Sequence, residues 1–223
     1  MKAVNDDVLV KEDASVEKLT AGGLIIPSIG TIPMAYGTIE QIGPGRYNPW
    51  KDMVPKIDLK VGDYVIYNPG PGKDITTSVV NADKTVTKTK LKKLNAMECM
   101  AVLEQDKDGK MIGVKNVREN YLVVKREEND KKTIGGIYVP EWGTDGKLMT
   151  GRVVMRGPGK YNAGTDSRIP CCAEIGDRIV FIDIKAIQIN LPEKNEKGEI
   201  VKEKFYLVPD SQVEVILDEN ENF

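Results

Sequence analysis

Histidine is absent from all 223 residues. That removes the commonest general base and the commonest zinc ligand from any enzymatic reading. Cysteine is scarce: of three, Cys171 and Cys172 are adjacent and Cys99 stands alone. This spacing builds neither a disulfide framework nor a CxxC metal site, and fits a reducing compartment. No apolar run reaches membrane-spanning length, and the opening Met1-Lys2-Ala3-Val4-Asn5-Asp6-Asp7-Val8 lacks a signal-peptide core, so a cytosolic home is expected. Excess charge of either sign is missing as well. Lys and Arg total 32 against 34 for Asp and Glu, and a net charge of -2 gives no electrostatic ground for a nucleic-acid or membrane partner. Phosphate-binding loops are missing too, so Gly43-Pro44-Gly45 and Gly157-Pro158-Gly159 read as tight turns. No carboxylate pair stands in an apolar setting that would tune it for acid-base work. No catalytic residue, metal or cofactor is expected.

What is present is a repeat. Gly43-Pro44-Gly45-Arg46-Tyr47-Asn48 returns as Gly157-Pro158-Gly159-Lys160-Tyr161-Asn162, and 157 minus 43 is 114. Val61-Gly62-Asp63-Tyr64-Val65-Ile66-Tyr67 returns as Ile175-Gly176-Asp177-Arg178-Ile179-Val180-Phe181, and 175 minus 61 is again 114. Val10-Lys11 pairs with Val124-Lys125 at the same spacing. The chain is a tandem duplication. The Gly-Gly pairs at 22 and 135 differ by 113, so one residue was lost in a loop.

Hydrophobic content of 40% and charged content of 30% suit one or two domains with real cores. Apolar residues cluster in short strand-like runs, Val8–Val10, Thr38–Ile42, Val61–Tyr67, Leu91–Leu94 and Met100–Leu103, and no helical period appears. Gly, Pro, Asn and Asp punctuate them. The fold class expected is all-β, with one small barrel or sandwich per repeat. Asp108-Gly109 is a hairpin-turn signal, which divides the chain into domains 1–108 and 109–223 and would set the last strand of one repeat beside the first of the next. Lys84, Lys88, Lys90, Lys92 and Lys93 alternate with Thr, Val and Leu as a solvated strand face would.

Two long excursions interrupt the strands. Residues Asp13–Ala35 surround Gly22-Gly23-Leu24-Ile25-Ile26-Pro27, and Glu127–Met149 surround Gly135-Gly136-Ile137-Tyr138-Val139-Pro140. Each sets three apolar residues after two glycines in polar surroundings. Taken singly, such a triplet is most often a turn leading into a buried strand. Found twice in the same context, it reads as an apolar hook on a mobile loop.

In their order and spacing these motifs resemble the GroES-type co-chaperonins. The resemblance rests on Val8-Leu9-Val10-Lys11, the first Gly-Gly loop, Gly37-Thr38-Ile39, Gly43-Pro44-Gly45 and Val61-Gly62-Asp63. In the second repeat it rests on Leu122-Val123-Val124-Lys125, the second Gly-Gly loop, Gly151-Arg152-Val153, Gly157-Pro158-Gly159 and Ile175-Gly176-Asp177. It covers nearly the whole chain. The resemblance implies two GroES-like irregular β-barrels in a homo-oligomeric ring that closes the chamber of a GroEL-type chaperonin and serves unfolded substrate proteins indirectly. Gly22, Gly23, Leu24, Ile25, Ile26 and Gly135, Gly136, Ile137, Tyr138, Val139 would dock on the chaperonin's apical domains. Tyr47, Asn48 and Trp50, with Tyr161 and Asn162, would lie in roof hairpins.

The family's Pro-Leu-x-Asp-Arg-Val opening is altered in both repeats, at Val4-Asn5-Asp6-Asp7-Val8 and Val117-Arg118-Glu119-Asn120-Tyr121-Leu122. Repeat two reads Ile182-Asp183-Ile184-Lys185 where repeat one turns at Asn68-Pro69-Gly70-Pro71-Gly72. Divergence without a visible transit peptide favours a bacterial or phage-infected cytoplasm, where virion proteins would be substrates, over a plastid stroma. The competing class is a small-molecule-binding or enzymatic β-barrel, since the same barrel occurs in medium-chain dehydrogenases. No nucleotide-binding βαβ unit or zinc set supports it. Whole two-barrel chains cannot supply the family's usual seven barrels, so the ring must be built from another number of barrels or leave some barrels outside it.

Overall fold

Strand formation follows the apolar runs, and in each repeat six strands order themselves identically. The computed structural model describes residues 2–13, 34–47, 57–80, 85–127, 148–162, 164–165, 167–183, 186–194 and 200–218. The chain separates into two compact units, Met1–Lys110 and Met111–Phe223.

The first unit contains β1 (Asp7–Glu12), β2 (Ala35–Ile42), β3 (Tyr64–Tyr67), β4 (Lys73–Val80), β5 (Val86–Asn95), a 3-10 turn (Ala96–Glu98) and β6 (Cys99–Gln105). Hydrogen bonding places them in the order β4-β5-β1-β2-β3-β6, every pair antiparallel. Val8, Val10, Ile39, Leu59, Val65, Tyr67 and Leu94 form its core. Leu9 and Ile66, which point to the opposite face by the two-residue period, are buried too. Both faces of the central strands are covered, which is why β1 and β3 read as continuous apolar runs rather than alternating ones.

The second unit contains β7 (Met111–Val117), β8 (Tyr121–Arg126), β9 (Leu148–Arg156), the short β10 (Lys160–Asn162) and β11 (Ser167–Ile169), β12 (Arg178–Ile182), β13 (Ile187–Lys194), β14 (Ile200–Pro209), a 3-10 turn (Asp210–Gln212) and β15 (Val213–Leu217). Its main sheet runs β13-β14-β8-β9-β12-β15. Each of these is the counterpart of the strand in the same place of the first sheet. Leu122, Val124, Val153, Ala173, Ile179, Phe181 and Val208 form the core, position for position the residues that follow the first core by 114, as 122 minus 8 shows. Among the described residues no ladder joins β4 to β6 or β13 to β15, so each sheet curls without closing, as an irregular barrel does.

The duplication extends to the irregularities. A bulge between Leu9 and Val10 recurs between Val123 and Val124, and one between Ile66 and Tyr67 recurs between Val180 and Phe181. Asn5 and Glu119, both non-glycine, hold positive φ values of 52 and 48 degrees. Their carbonyls accept from the N–H groups of Gly45 at 2.9 Å and Gly159 at 3.0 Å, which locks the strained corner in place.

Two sequence expectations need correction. Val61–Tyr67 is not one strand: Val61-Gly62 forms a turn with Gly62 at φ 91 degrees, and β3 starts at Tyr64. The turn is closed by Asp63, whose Oδ2 accepts from the Lys60 N–H at 2.8 Å, and Asp177 repeats this on Glu174 at 2.8 Å. Val61 and Ile175 are thereby left exposed. Strands β4 and β13 went unread, because Lys73–Val80 is rich in Thr and charge and Ile187–Lys194 contains Pro192. Proline is tolerated there because β13 is the end strand of its sheet. As the sequence indicates, repeat two has no glycine here, and it turns at the same place without one. Ala186 N–H donates to Asp183 O at 3.0 Å just as Gly72 N–H donates to Pro69 O at 3.1 Å.

The Asp108-Gly109 signal is a tight turn, with Gly109 at φ 77 degrees and Asp106 Oδ1 accepting from the N–H groups of Asp108 at 3.0 Å and Lys110 at 2.8 Å. Among the described residues no helix is long and apolar enough to cross a membrane.

Candidate functional site

Strand β1 ends at Glu12, and residues 14–33 intervene before β2 begins at Ala35. The root of this excursion is fastened. Asp13 N–H donates to the Tyr36 carbonyl at 2.8 Å, and the Tyr64 hydroxyl donates to Asp13 Oδ2 at 2.9 Å. The Tyr36 and Tyr64 rings stack at 6.4 Å with planes 24 degrees apart. Burial, and then the adjacent Asp13 carboxylate, push the Tyr64 phenol well above its usual range, so it remains a protonated donor at neutral pH.

The second excursion has a root of the same shape and different chemistry. Residues 128–147 lie between β8 and β9, and Glu127 N–H donates to the Thr150 carbonyl at 3.1 Å. Glu127 stands where Asp13 stood. Its carboxylate accepts from Arg178 Nε at 2.8 Å, and Arg152 Nη2 lies 3.7 Å from its other oxygen. Arg178 occupies the position of Tyr64, since 178 minus 64 is 114. Arg152 is steadied in turn by donating from Nη1 to the Gly176 carbonyl at 2.8 Å.

The predicted hook residues, Gly22, Gly23, Leu24, Ile25, Ile26 and Gly135, Gly136, Ile137, Tyr138, Val139, lie outside the described residues, as do Asn48 and Trp50. Tyr47 is described and exposed. Tyr161 and Asn162 belong to β10, which pairs with β11 in a hairpin whose register is Lys160 to Ile169, Tyr161 to Arg168 and Asn162 to Ser167. Glu119 holds the foot of this hairpin: its Oε2 accepts from Arg168 Nη1 at 3.3 Å and from the Tyr161 N–H at 3.5 Å, while Arg168 also donates to Gly159 O at 2.7 Å.

Sequence reasoning missed the root residues Asp13, Tyr64, Glu127, Arg152 and Arg178. The signal was present in the repeat alignment, where Gly62-Asp63-Tyr64 faces Gly176-Asp177-Arg178, but no short motif announces an anchor. All three cysteines are free thiols. Among the described residues no group of three or more Cys, Asp or Glu is placed to hold a metal.

By class this is a duplicated all-β scaffold whose matching strand ends fasten the root of one long excursion per copy. The chaperonin 10 kDa subunit family matches the chain twice, over residues 1–97 and 114–208, and the chain belongs to that family. It is similar to the Co-chaperonin GroES of Leifsonia xyli subsp. xyli, at 35% identity over 75 residues, 34% of this chain and 74% of that protein. It is also similar to the Co-chaperonin GroES of Lawsonia intracellularis, at 37% over 75 residues, 34% of this chain and 72% of that one. A third relative is Co-chaperonin GroES 2 of Rhodopseudomonas palustris, at 38% over 74 residues, 33% of this chain and 69% of that one. The chain is thus a GroES-type co-chaperonin in tandem, double-domain form, and not an enzyme.

Proposed function

We propose that the protein caps a GroEL-type chaperonin through the triplets Leu24-Ile25-Ile26 and Ile137-Tyr138-Val139, assisting ATP-dependent folding while the ATP chemistry stays with the partner. The observation that carries this reading is the triplet's recurrence in equivalent places: after β1 and before β2 in the first repeat, after β8 and before β9 in the second. Both lie inside the two family matches.

The energetics suit a releasable lid. Burying one Leu or Ile side chain contributes roughly 1.5 to 3 kcal/mol, so a docked triplet gains on the order of 5 to 8 kcal/mol. Ordering a flexible residue costs about 1 to 2 kcal/mol, which offsets most of that. One hook binds weakly. A ring presenting many makes each later docking event intramolecular, and the sum is tight yet reversible when the partner changes shape.

The hooks act on the chaperonin's apical domains, and Tyr47, Asn48, Trp50, Tyr161 and Asn162 form the roof. Unfolded proteins are met only indirectly, inside the closed chamber. The chain is a subunit of a homo-oligomeric ring. Its work is done in the cytoplasm of a bacterium or of a phage-infected cell. The deciding experiment is native mass spectrometry with a GroEL-type chaperonin, with and without ATP. A stoichiometric complex that requires nucleotide is expected, and no association under any nucleotide condition refutes the reading.

A further inference from the structure

We infer that the outer edge of β4 takes up an extended acidic polypeptide segment as a further strand, selected by Lys88 and Lys90 of the neighbouring strand β5. This goes beyond chaperonin docking and uses neither excursion.

Strand β4 stands at the end of its sheet and pairs with β5 along all eight of its residues, from Lys73 opposite Lys93 to Val80 opposite Val86, without a break in register. Its other edge joins no strand among the described residues. Every second residue of such a strand turns its N–H and C=O outward, which leaves a row of donors and acceptors open to another backbone. The equivalent end strand, β13, carries Pro192, which removes one N–H from its ladder positions. Strand β4 has no proline and no bulge, and its Ile75, Thr76, Thr77, Val79 and Val80 are residue types that favour strands.

Charge on one face says what kind of strand fits there. The register sets Asp74 opposite Lys92, Thr76 opposite Lys90 and Ser78 opposite Lys88, all on the same face, while Ile75 and the buried Leu91 share the other. Thr76, Ser78, Lys88 and Lys90 are exposed. Lys92 shows how a β5 lysine leans across the pair, its Nζ lying 2.9 Å from Asp74 Oδ1. Thr76 and Ser78 offer no such carboxylate, and Lys88 and Lys90 make no ion pair among the described residues. Opposite small side chains, both ammonium groups can reach over β4 toward the place of a next strand, about 4.8 Å beyond it. A strand bearing Asp or Glu there does for Lys88 and Lys90 what Asp74 does for Lys92. A second copy of β4 in that place would instead bring two rows of lysines to one seam, so like charge opposes self-pairing.

The test uses the full-length protein and a synthetic peptide of about ten residues, the length of a long strand, that alternates Glu with Val. Amide exchange followed by NMR should slow at alternate residues of Lys73–Val80 when the peptide is added, and binding should weaken as salt screens the lysines. A peptide alternating Lys with Val should not bind. The Glu-Val peptide N-methylated throughout keeps its charge, has no N–H to donate, and should not bind either. No slowing at β4, or equal binding of either control, overturns the inference: the Lys-Val peptide would show pairing without selection by charge, and the N-methylated one adsorption of charge without pairing. These comparisons need no variant, so a folding defect cannot obscure them. Lys88→Gln combined with Lys90→Gln should weaken binding of the Glu-Val peptide roughly two- to thirty-fold, the loss of two exposed ion pairs, and an unchanged affinity counts against the lysines as its selector. Protection of β4 that grows with protein concentration in the absence of peptide would make a second copy of this chain the occupant, and that too overturns the inference.

Discussion

A Cβ on Gly37 would lie 2.4 Å from the Lys11 carbonyl oxygen, closer than any side chain is tolerated, and Gly151 stands in the same relation to Lys125 at 2.7 Å. Gly37 pairs with Glu12 and Gly151 with Arg126, and the added atom would also meet Val10 Cγ1 at 2.6 Å or Val124 Cγ1 at 2.5 Å. The close approach is a property of the fold, since it recurs in both copies.

Gly37→Ala and Gly151→Ala should each destabilise the protein by about 2 to 4 kcal/mol, because backbone rather than a flexible tail must move. Gly72→Ala is the control. Its Cβ would meet Lys92 Cε at 2.9 Å, the movable end of a long side chain, and should cost under about 1 kcal/mol. Urea denaturation of the three variants checks the order, and a Gly72→Ala loss as large as that of Gly37→Ala would contradict it.

Tyr67 is fully buried, and its hydroxyl makes no hydrogen bond of good geometry although it lies in the field of Glu12 and Asp74. Repeat two has Phe181 there. Tyr67→Phe should therefore be neutral or stabilising by up to about 1 kcal/mol, since it removes a polar group that burial penalises. A loss above that size would mean the hydroxyl is satisfied.

Alkaline pH should weaken the first repeat. Tyr36, Tyr64 and Tyr67 are all raised above 10.0, the first two chiefly by burial and Tyr67 by burial and then Glu12. A phenol held protonated in the fold and released in the unfolded chain contributes stability that is full below pH 10.0 and is lost as pH rises toward the folded value. Absorbance titration at the tyrosinate band should show these phenols ionising late in the native protein and normally in urea. Simultaneous titration of all eight tyrosines near pH 10.0 in the native state would refute this.

Cys172 is exposed yet should be a poor nucleophile. Burial of its sulfur, then the Asp210 carboxylate, push the thiol up to about 12. Only the thiolate reacts, so alkylation at pH 8 should run more than about ten-fold slower than in a model peptide. Asp210→Asn should speed it, and an unchanged rate would remove Asp210 as the cause.

Ile25→Asp combined with Tyr138→Asp should leave the circular dichroism and melting of the protein unchanged while abolishing capping, because a carboxylate in an apolar groove forfeits the burial energy and adds a desolvation cost. Full capping by the well-folded double variant would rule out the hooks.

Much of the architecture was readable in the chain because it is local or repeated. Apolar runs such as Val8-Leu9-Val10 declare strands, and the 114-residue spacing seen between Gly43 and Gly157 aligns both copies down to their turns. What escaped was whatever depends on pairing at a distance. Strand β4 carries Thr76, Thr77 and Ser78 and is a strand because β5 supplies its hydrogen bonds, not because its own residues demand it. Val61 and Ile175 read as strand residues and emerged on exposed turns, since the Gly-Asp pairs that follow them bend the backbone.

The amino-acid order by itself determined the duplication, the all-β character, the absence of histidine chemistry and the position of two apolar triplets between equivalent strands. Tertiary structure alone decided what fastens each excursion. Asp13 and Tyr64, like Glu127 and Arg178, are 51 residues apart and meet only because β3 and β12 lie beside β2 and β9. Hydrogen bonds of that span leave no periodic trace in the chain, because the sheet and not the neighbouring residues brings their partners together.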